Sequence, residues 1–229
     1  MNKILVSVIV PMYNGAAFLG EALASVRGQV DGPVELIVVD DGSRDSSAEI
    51  AASYRPMRQL TQAHQGAAVA RNLGLAAASG DLVAFLDQDD WWEPDKLRRQ
   101  VAYALEHPEV EVVLTRQRFF LHPGTGTPGW LTPELLDIDQ PGQTPSTLLA
   151  RKTLFDRLGG FNPEYLLTSD ADWFLRAQTA GVDLFELPDA LTHRRVHADN
   201  QARLAQAHNQ KLLRLDQKTI QRRGAGASE

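Results

Sequence analysis

The chain has 229 residues, 43% of them apolar and 23% charged, which excludes wholesale disorder, a collagen repeat and a coiled-coil rod. With no cysteine, it has no disulfide framework, no Cys-ligated zinc or iron–sulfur cluster and no thiol nucleophile. A net charge of −6 argues against a generally basic nucleic-acid-binding surface, so any phosphate must be held locally by a few Arg or Lys groups, backbone amides or a metal ion.

The apolar run over residues 4–12 is interrupted by Ser7 and Pro11 and is too short for the core of a signal peptide. No stretch reaches the ~20 apolar residues of a transmembrane helix, so a soluble, cytoplasmic protein is expected.

Residues 5–11 (LVSVIVP) form a nearly continuous apolar strand, the pattern of a parallel sheet covered on both faces. Leu19, Ala22, Leu23 and Val26 then make a helical stripe. Residues 35–39 (ELIVV) read as a second buried strand running into Asp40, Asp41 and Gly42. Ser46 and Glu49 read as a capping box opening the next helix. A third helix is expected over residues 66–78, with Val69, Leu73, Ala76 and Ala77 inward and Gly80 as its stop. Residues 82–86 are another buried strand, ending in Asp87, Asp89 and Asp90, and a fourth helix runs from Pro94 to His107. This β-α-β-α order predicts a parallel, doubly wound α/β sheet, whose ligands lie beyond the carboxyl ends of the strands.

The second half is less regular. Residues 110–121 read as a strand, and residues 122–146, rich in Gly, Pro and Thr, as an excursion over a site. A short helix over 153–158 leads to Gly159, Gly160 and Phe161. Ser169 and Asp172 read as a second capping box, opening a helix that closes at Gly181. Residues 182–187 and 191–196 are two candidate strands, and residues 201–223 look helical and basic, with a frayed end beyond.

Asp87 and Asp89 stand two apart at a strand end, so their side chains leave on the same side, and hard oxygen ligands of this kind suit Mg²⁺ or Mn²⁺. A lone D-x-D favours a solvated polar loop; its place beside a second acidic strand end reverses that preference. One of Asp40 and Asp41 is expected to form an Asx turn before Gly42, leaving the other to accept a base N–H or a ribose hydroxyl. Arg71 is placed to reach a diphosphate, with an exposed helix arginine as the alternative. Asp170 lies at a helix start, where the partial positive charge favours a carboxylate able to serve as general base. Trp91, Trp92 and Trp173 are either sugar platforms or core residues.

Taken together, VSVIVPMYNG (6–15), ELIVVDDGSRDSS (35–47), the run 64–97 containing ARNLG and FLDQDDWW, LGGFNPEYLLTSDADWFLR (158–176) and RRVH (194–197) resemble the family 2 glycosyltransferases of GT-A fold. These are bacterial inverting enzymes that use nucleotide-diphosphate sugars. The resemblance implies a Rossmann-like, mostly parallel sheet with a mixed acceptor side: one domain over residues 1–200, with a nucleotide-sugar half to about 115 and an acceptor half beyond. It implies that Pro11, Tyr13 and Asn14 line a nucleobase pocket with Asp40 accepting from the base, and that Arg71, Asp87 and Gln88 complete the nucleotide-sugar site. Asp89 and His197 are implied as ligands of a Mn²⁺ or Mg²⁺ cofactor, with a phosphate contact as the alternative for His197, and Asp170 falls at the position of the catalytic base, following Ser169 where many members have Glu. The implied partners are a nucleotide-diphosphate sugar, UDP-linked by preference, and an acceptor of unspecified class, with no nucleic acid. A non-catalytic module of the same fold is the alternative. The segment 203–223, with six basic residues and one acid, reads first as a solvated helix and secondly as a peripheral contact with an anionic membrane at its cytoplasmic face. A dinucleotide dehydrogenase and a P-loop NTPase are excluded by missing glycine signatures, and a phosphatase or nucleotidyltransferase fits less well.

Overall fold

A strand buried on both faces needs apolar side chains at every position, and Val6–Met12 (β1) is buried throughout. The computed structural model describes residues 4–30 and 32–197. Around β1 the chain adds β2 (Val34–Asp40), β3 (Arg58–Thr61), β4 (Leu82–Phe85), β5 (Trp91–Trp92), β6 (Val112–Leu121), β7 (Leu149–Arg151) and β8 (Leu184–Val196). They form one eight-stranded sheet in the order β3-β2-β1-β4-β7-β6-β8-β5. The first four neighbours are parallel, β7 runs antiparallel to both β4 and β6, and β8 is parallel to β6. The sheet is therefore parallel in its first half and mixed in its second, as the resemblance implied.

Successive residues of β1 serve different cores. Ile9 joins α3 (Ala67–Ala77), α6 (Lys152–Leu158) and α7 (Ser169–Thr179), while Val8, Val10 and Met12 join α1 (Leu19–Arg27), α2 (Ser47–Ala52) and α4 (Lys96–Glu106). A short α5 (Pro133–Asp137) lies within the long excursion. The aligned registers Met12↔Asp40 and Ile9↔Phe85 bring the exits of β1, β2 and β4 to one edge of the sheet.

Several elements differ from the sequence reading. The buried face of α3 carries Ala68, Ala70, Arg71 and Gly74; Leu73 and Ala77 are half-buried and pack against the same core as expected, while Val69 is only half-buried and Ala76 is exposed. Close approach decides which residues sit nearest the sheet: a Cβ at Gly74 would lie 2.4 Å from Ile9 Cγ2, so small residues take those positions. Gly80 does not end the helix, which stops at Ala77; it instead packs against the backbone of β1 and donates to Ser7 Oγ at 2.8 Å. Strand β3 (RQLT) is polar at its edge and lacks an apolar run to mark it. The two expected C-terminal strands are one, β8, and Pro188 is absorbed by register shifts between Thr115 and Gln117 of β6. Neither capping box forms: Ser46 makes no side-chain cap, and the second helix begins after Thr168, with Asp172 paired to Arg176 at 2.9 Å instead. The basic segment 201–223 and the boundary at residue 200 lie outside the described residues. Among the described residues no helix is long and apolar enough to cross a membrane.

Candidate active site

A cleft of about 810 Å³ opens where β1, β2 and β4 end, and Pro11, Tyr13, Asn14, Arg71, Asp87, Gln88, Asp89, Asp170 and His197 all line it. The fold thus gathers residues from opposite ends of the sequence into one depression. Asp40 is the exception among the expected residues. Its Oδ1 accepts from Ser43 N at 2.8 Å, closing the turn, and the cleft wall is formed by Asp41.

Asp41 is buried and accepts three hydrogen bonds. Oδ1 takes Gln62 Nε2 at 2.7 Å and Gln65 N at 2.8 Å; Oδ2 takes Gly66 N at 2.8 Å and forms an ion-pair contact with His64 Nδ1 at 2.8 Å. Burial opposes its charge, but these donors outweigh it and hold its pKa below the usual carboxylate value. The His64 ring also stacks on Tyr13, with centroids 3.8 Å apart and planes at 19°.

The chain leaving β1 is held by its own polar atoms. Asn14 adopts a left-handed φ of 46°, its Oδ1 accepting from Arg44 N and its N–H donating to Ser43 Oγ. Gln88 grips Tyr13 twice, accepting from Tyr13 N at 2.8 Å and donating to Tyr13 O at 3.1 Å. A Cβ at Gly15 would meet Gln88 Oε1 at 2.1 Å, so that clasp requires glycine there. Asn14 and Gln88 therefore shape the wall as well as line it.

Arg71 is buried, not exposed, and donates through Nη2 to Asp87 Oδ1 at 2.5 Å. Burial disfavours its charge, but Asp87 first, then Asp170 and Asp89, more than compensate and raise its pKa. Its Nε is buried with no hydrogen-bond partner among the described residues. Across the cleft Asp89 Oδ2 lies 2.9 Å from His197 Nε2, so the two implied metal ligands, over a hundred residues apart in sequence, are brought together. A carboxylate oxygen and an imidazole nitrogen suit Mn²⁺ and, less well, Mg²⁺. Among the described residues no group of three or more His, Cys, Asp or Glu is arranged to hold a metal, so the pair fits a cation whose shell is completed by a ligand's oxygens and water.

Asp90 turns away from the cleft. Its carboxylate accepts from Ser146 Oγ at 2.7 Å and Arg195 N at 3.2 Å, and burial, with the Asp89 and Asp87 charges, pushes its pKa well up. Arg195 donates to the Asp89 carbonyl and to Glu21, with its guanidinium between the rings of Phe18 and Phe120. Both residues fix the acidic loop. Asp170, second residue of α7, accepts from Ala171 N at 2.9 Å through Oδ1, and its Oδ2 carries no hydrogen bond among the described residues.

The sequence reading did not single out His64, Phe119 or Trp130; it left Asp40 and Asp41 both open as base acceptor, and the resemblance pointed to Asp40. Trp130, on the excursion, lines the cleft edge-on to Phe119 at 5.7 Å, and Arg194 lies over the same Phe119 ring at 5.9 Å. The tryptophans singled out from the sequence are elsewhere: Trp92 and Trp173 are core, and Trp91 stacks on His193. A lone aromatic in a Gly- and Pro-rich stretch gives no periodic signal, so Trp130 was not visible in advance.

A family model described as "Glycosyl transferase family 2" matches residues 7–159. An uncharacterized glycosyltransferase of Haemophilus influenzae is 40% identical over 112 residues, covering 47% of this chain and 45% of its own length. The crystal structure of S. aureus TarS 1–349 in complex with UDP superposes with a TM-score of 0.69 at 27% identity, covering 84% of this chain and 61% of that one. The mannosyltransferase PcManGT from Pyrobaculum calidifontis, solved with GDP-Man and Mn²⁺, shares the fold with a TM-score of 0.74 at 22% identity, over 96% of this chain and 65% of its own. This chain thus spans under half the length of the curated relative and under two thirds of the solved ones. The match over residues 7–159 places the chain in glycosyl transferase family 2.

Proposed function

We propose that this chain transfers a glycosyl group from a nucleotide-diphosphate sugar to an acceptor hydroxyl, with inversion at the anomeric carbon. The observation that carries the reading is one cleft holding the Arg71–Asp87 pair, the Asp89–His197 pair and the Asp170 carboxylate. Tyr13 and Asp41, the latter in place of Asp40, are the ring and the carboxylate on the cleft wall that a nucleobase would meet. Asp87 would meet the ribose or donor sugar, leaving the Arg71 charge to oppose the negative charge that builds on the departing diphosphate. Asp89 and His197 would hold a divalent cation, which when bound would add further positive charge at the same leaving group. UDP is the favoured carrier because the TarS structure at 27% identity holds UDP.

The bonds balance simply. Asp170 Oδ2 takes the acceptor hydroxyl proton as that oxygen forms its bond to C1, and the C1–oxygen bond to the diphosphate breaks on the opposite face. A sugar glycoside and a nucleoside diphosphate leave.

Calorimetry with UDP-, GDP- and dTDP-sugars, with and without Mn²⁺, tests the donor half of the reading. One donor should bind in a metal-dependent manner and lose that dependence in Asp89→Ala. Asp170→Asn should keep donor affinity and lose about two to four orders of magnitude in transfer rate, the usual worth of a positioned base. A full transfer rate in Asp170→Asn removes the base assignment, and no binding of any donor supports a non-catalytic module.

A further inference from the structure

The Tyr13–Asp41 corner already contains an aromatic ring. A nucleobase bound there needs two things: a flat face against Tyr13 and an N–H aimed at the Asp41 carboxylate. The His64 imidazole occupies both places, its ring stacked on Tyr13 at 3.8 Å and its Nδ1 2.8 Å from Asp41 Oδ2. An ionised carboxylate offers about four acceptor positions, and three of those on Asp41 are filled by Gln62 Nε2, Gln65 N and Gly66 N, while His64 Nδ1 stands 2.8 Å from Oδ2. A base cannot reach the remaining position until the His64 ring withdraws.

The groups around Asp41 are not equally able to withdraw. Gln65 N and Gly66 N are backbone groups at the entrance to α3. The backbone at residue 64 is itself packed against the turn after β2, since a Cβ at Gly42 would lie 3.1 Å from His64 N. The His64 side chain, however, is 54% exposed, and rotation of its ring frees one lone pair on Oδ2 and one face of Tyr13 together. Asp41 keeps its two backbone donors and Gln62 through that motion, so its carboxylate stays where a base requires it.

We propose that His64 occupies the nucleobase position in the unliganded protein and sets donor affinity by competing with the base for Tyr13 and Asp41. This rests on the donor site proposed above and concerns its regulation. The closed ring reduces the fraction of molecules competent to bind, so apparent affinity is the intrinsic affinity scaled by that fraction. Removal of the ring raises the fraction toward one.

The test is UDP titration of the full chain in the presence of Mn²⁺, comparing wild type, His64→Ala and His64→Phe. Ala should tighten binding by roughly three- to tenfold. Phe retains a ring for the Tyr13 stack and should not gain. In the wild type, the His64 ring-proton NMR signals, shifted by the Tyr13 ring, should move toward free-imidazole positions as UDP saturates. His64 is exposed, and an unchanged circular dichroism spectrum confirms that the variants fold. Equal or weaker UDP binding in His64→Ala overturns the proposal while leaving the donor site standing, as does an equal gain for inorganic pyrophosphate, which carries no base. If neither wild type nor His64→Ala binds UDP or any other nucleotide-diphosphate sugar, the donor reading itself falls and the proposal with it.

Discussion

Two buried cations show how environment decides what a charge does. Arg71 faces Asp87, Asp170 and Asp89, and its pKa rises despite burial. Lys96 has no carboxylate partner among the described residues; its Nζ donates to Gln100 Oε1 at 2.7 Å above the Trp92 ring, and burial drives its pKa well below the usual 10.5. Between that lowered value and 10.5 the folded protein binds fewer protons at this site than the unfolded chain. The stability contribution is therefore complete above 10.5 and is lost as pH falls through the window, by up to about 1.4 kcal/mol per pH unit. Lys96→Met keeps much of the buried stem and removes the titrating group. Urea unfolding at about pH 7 and about pH 9 should show the wild type gaining stability relative to Lys96→Met as pH rises, with slopes set by the same linkage. Parallel profiles would mean that Lys96 remains charged in the fold.

At the scale of elements, the position of Asp170 depends on a contact between α3 and the loop that leads to α7. Asn72 accepts from Phe161 N at 2.8 Å and donates to Phe161 O at 2.7 Å, and Phe161 packs in the core against Phe85. The loop comes so close that a Cβ at Gly160 would lie 2.2 Å from Asn72 Oδ1. Asn72→Ala leaves the Phe161 backbone pair unsatisfied and should cost about 1–3 kcal/mol. Gly160→Ala should cost a similar amount by pushing the Asn72 amide off its partners. The two lesions act on one contact, so the double mutant should be less destabilised than the sum, with a coupling of roughly 0.5–3 kcal/mol in chemical denaturation. Strict additivity would show that the clasp does not join the elements. The strands and most helices around this contact were legible, because buried parallel strands are written as apolar runs and the helices as periodic stripes. What was not legible depended on approach distance: the inward face of α3 is set by how near Gly74 must come to Ile9, and β3 pairs through backbone groups that its polar residues do not announce.

Across the whole molecule, the site was legible as residue types at strand ends but not as a set of partnerships. Arg71 with Asp87, and Asp89 with His197, were each assigned to the cleft, whereas the division of labour between Asp40 and Asp41 turned on which residue follows the last ladder position of β2. The nucleotide-sugar and acceptor halves expected from the sequence share one sheet, β4 pairing directly with β7. Ser146 ties them again at the acidic loop. Its Oγ accepts from Asp87 N at 3.1 Å and donates to Asp90 at 2.7 Å, while its carbonyl accepts from Trp92 Nε1 at 2.7 Å and Thr192 Oγ1 at 3.2 Å. If the halves were independent, loss of this link would broaden or split unfolding. A continuous sheet with shared buried hydrogen bonds should instead unfold in one step, and Ser146→Ala should lower its midpoint without changing its slope. The expected cost is about 1–3 kcal/mol, because the buried Asp90 oxygen loses its donor. Far-UV circular dichroism and tryptophan fluorescence follow different parts of this chain: the first averages over the backbone, and the second reports on the four tryptophans, of which Trp92 and Trp173 are buried on opposite faces of the sheet. Coincident urea transitions from both probes, shifted together by Ser146→Ala, would establish one cooperative unit. Separated transitions would show that the acceptor side can open while the nucleotide side stays folded, and Ser146 would then be the place where that opening begins.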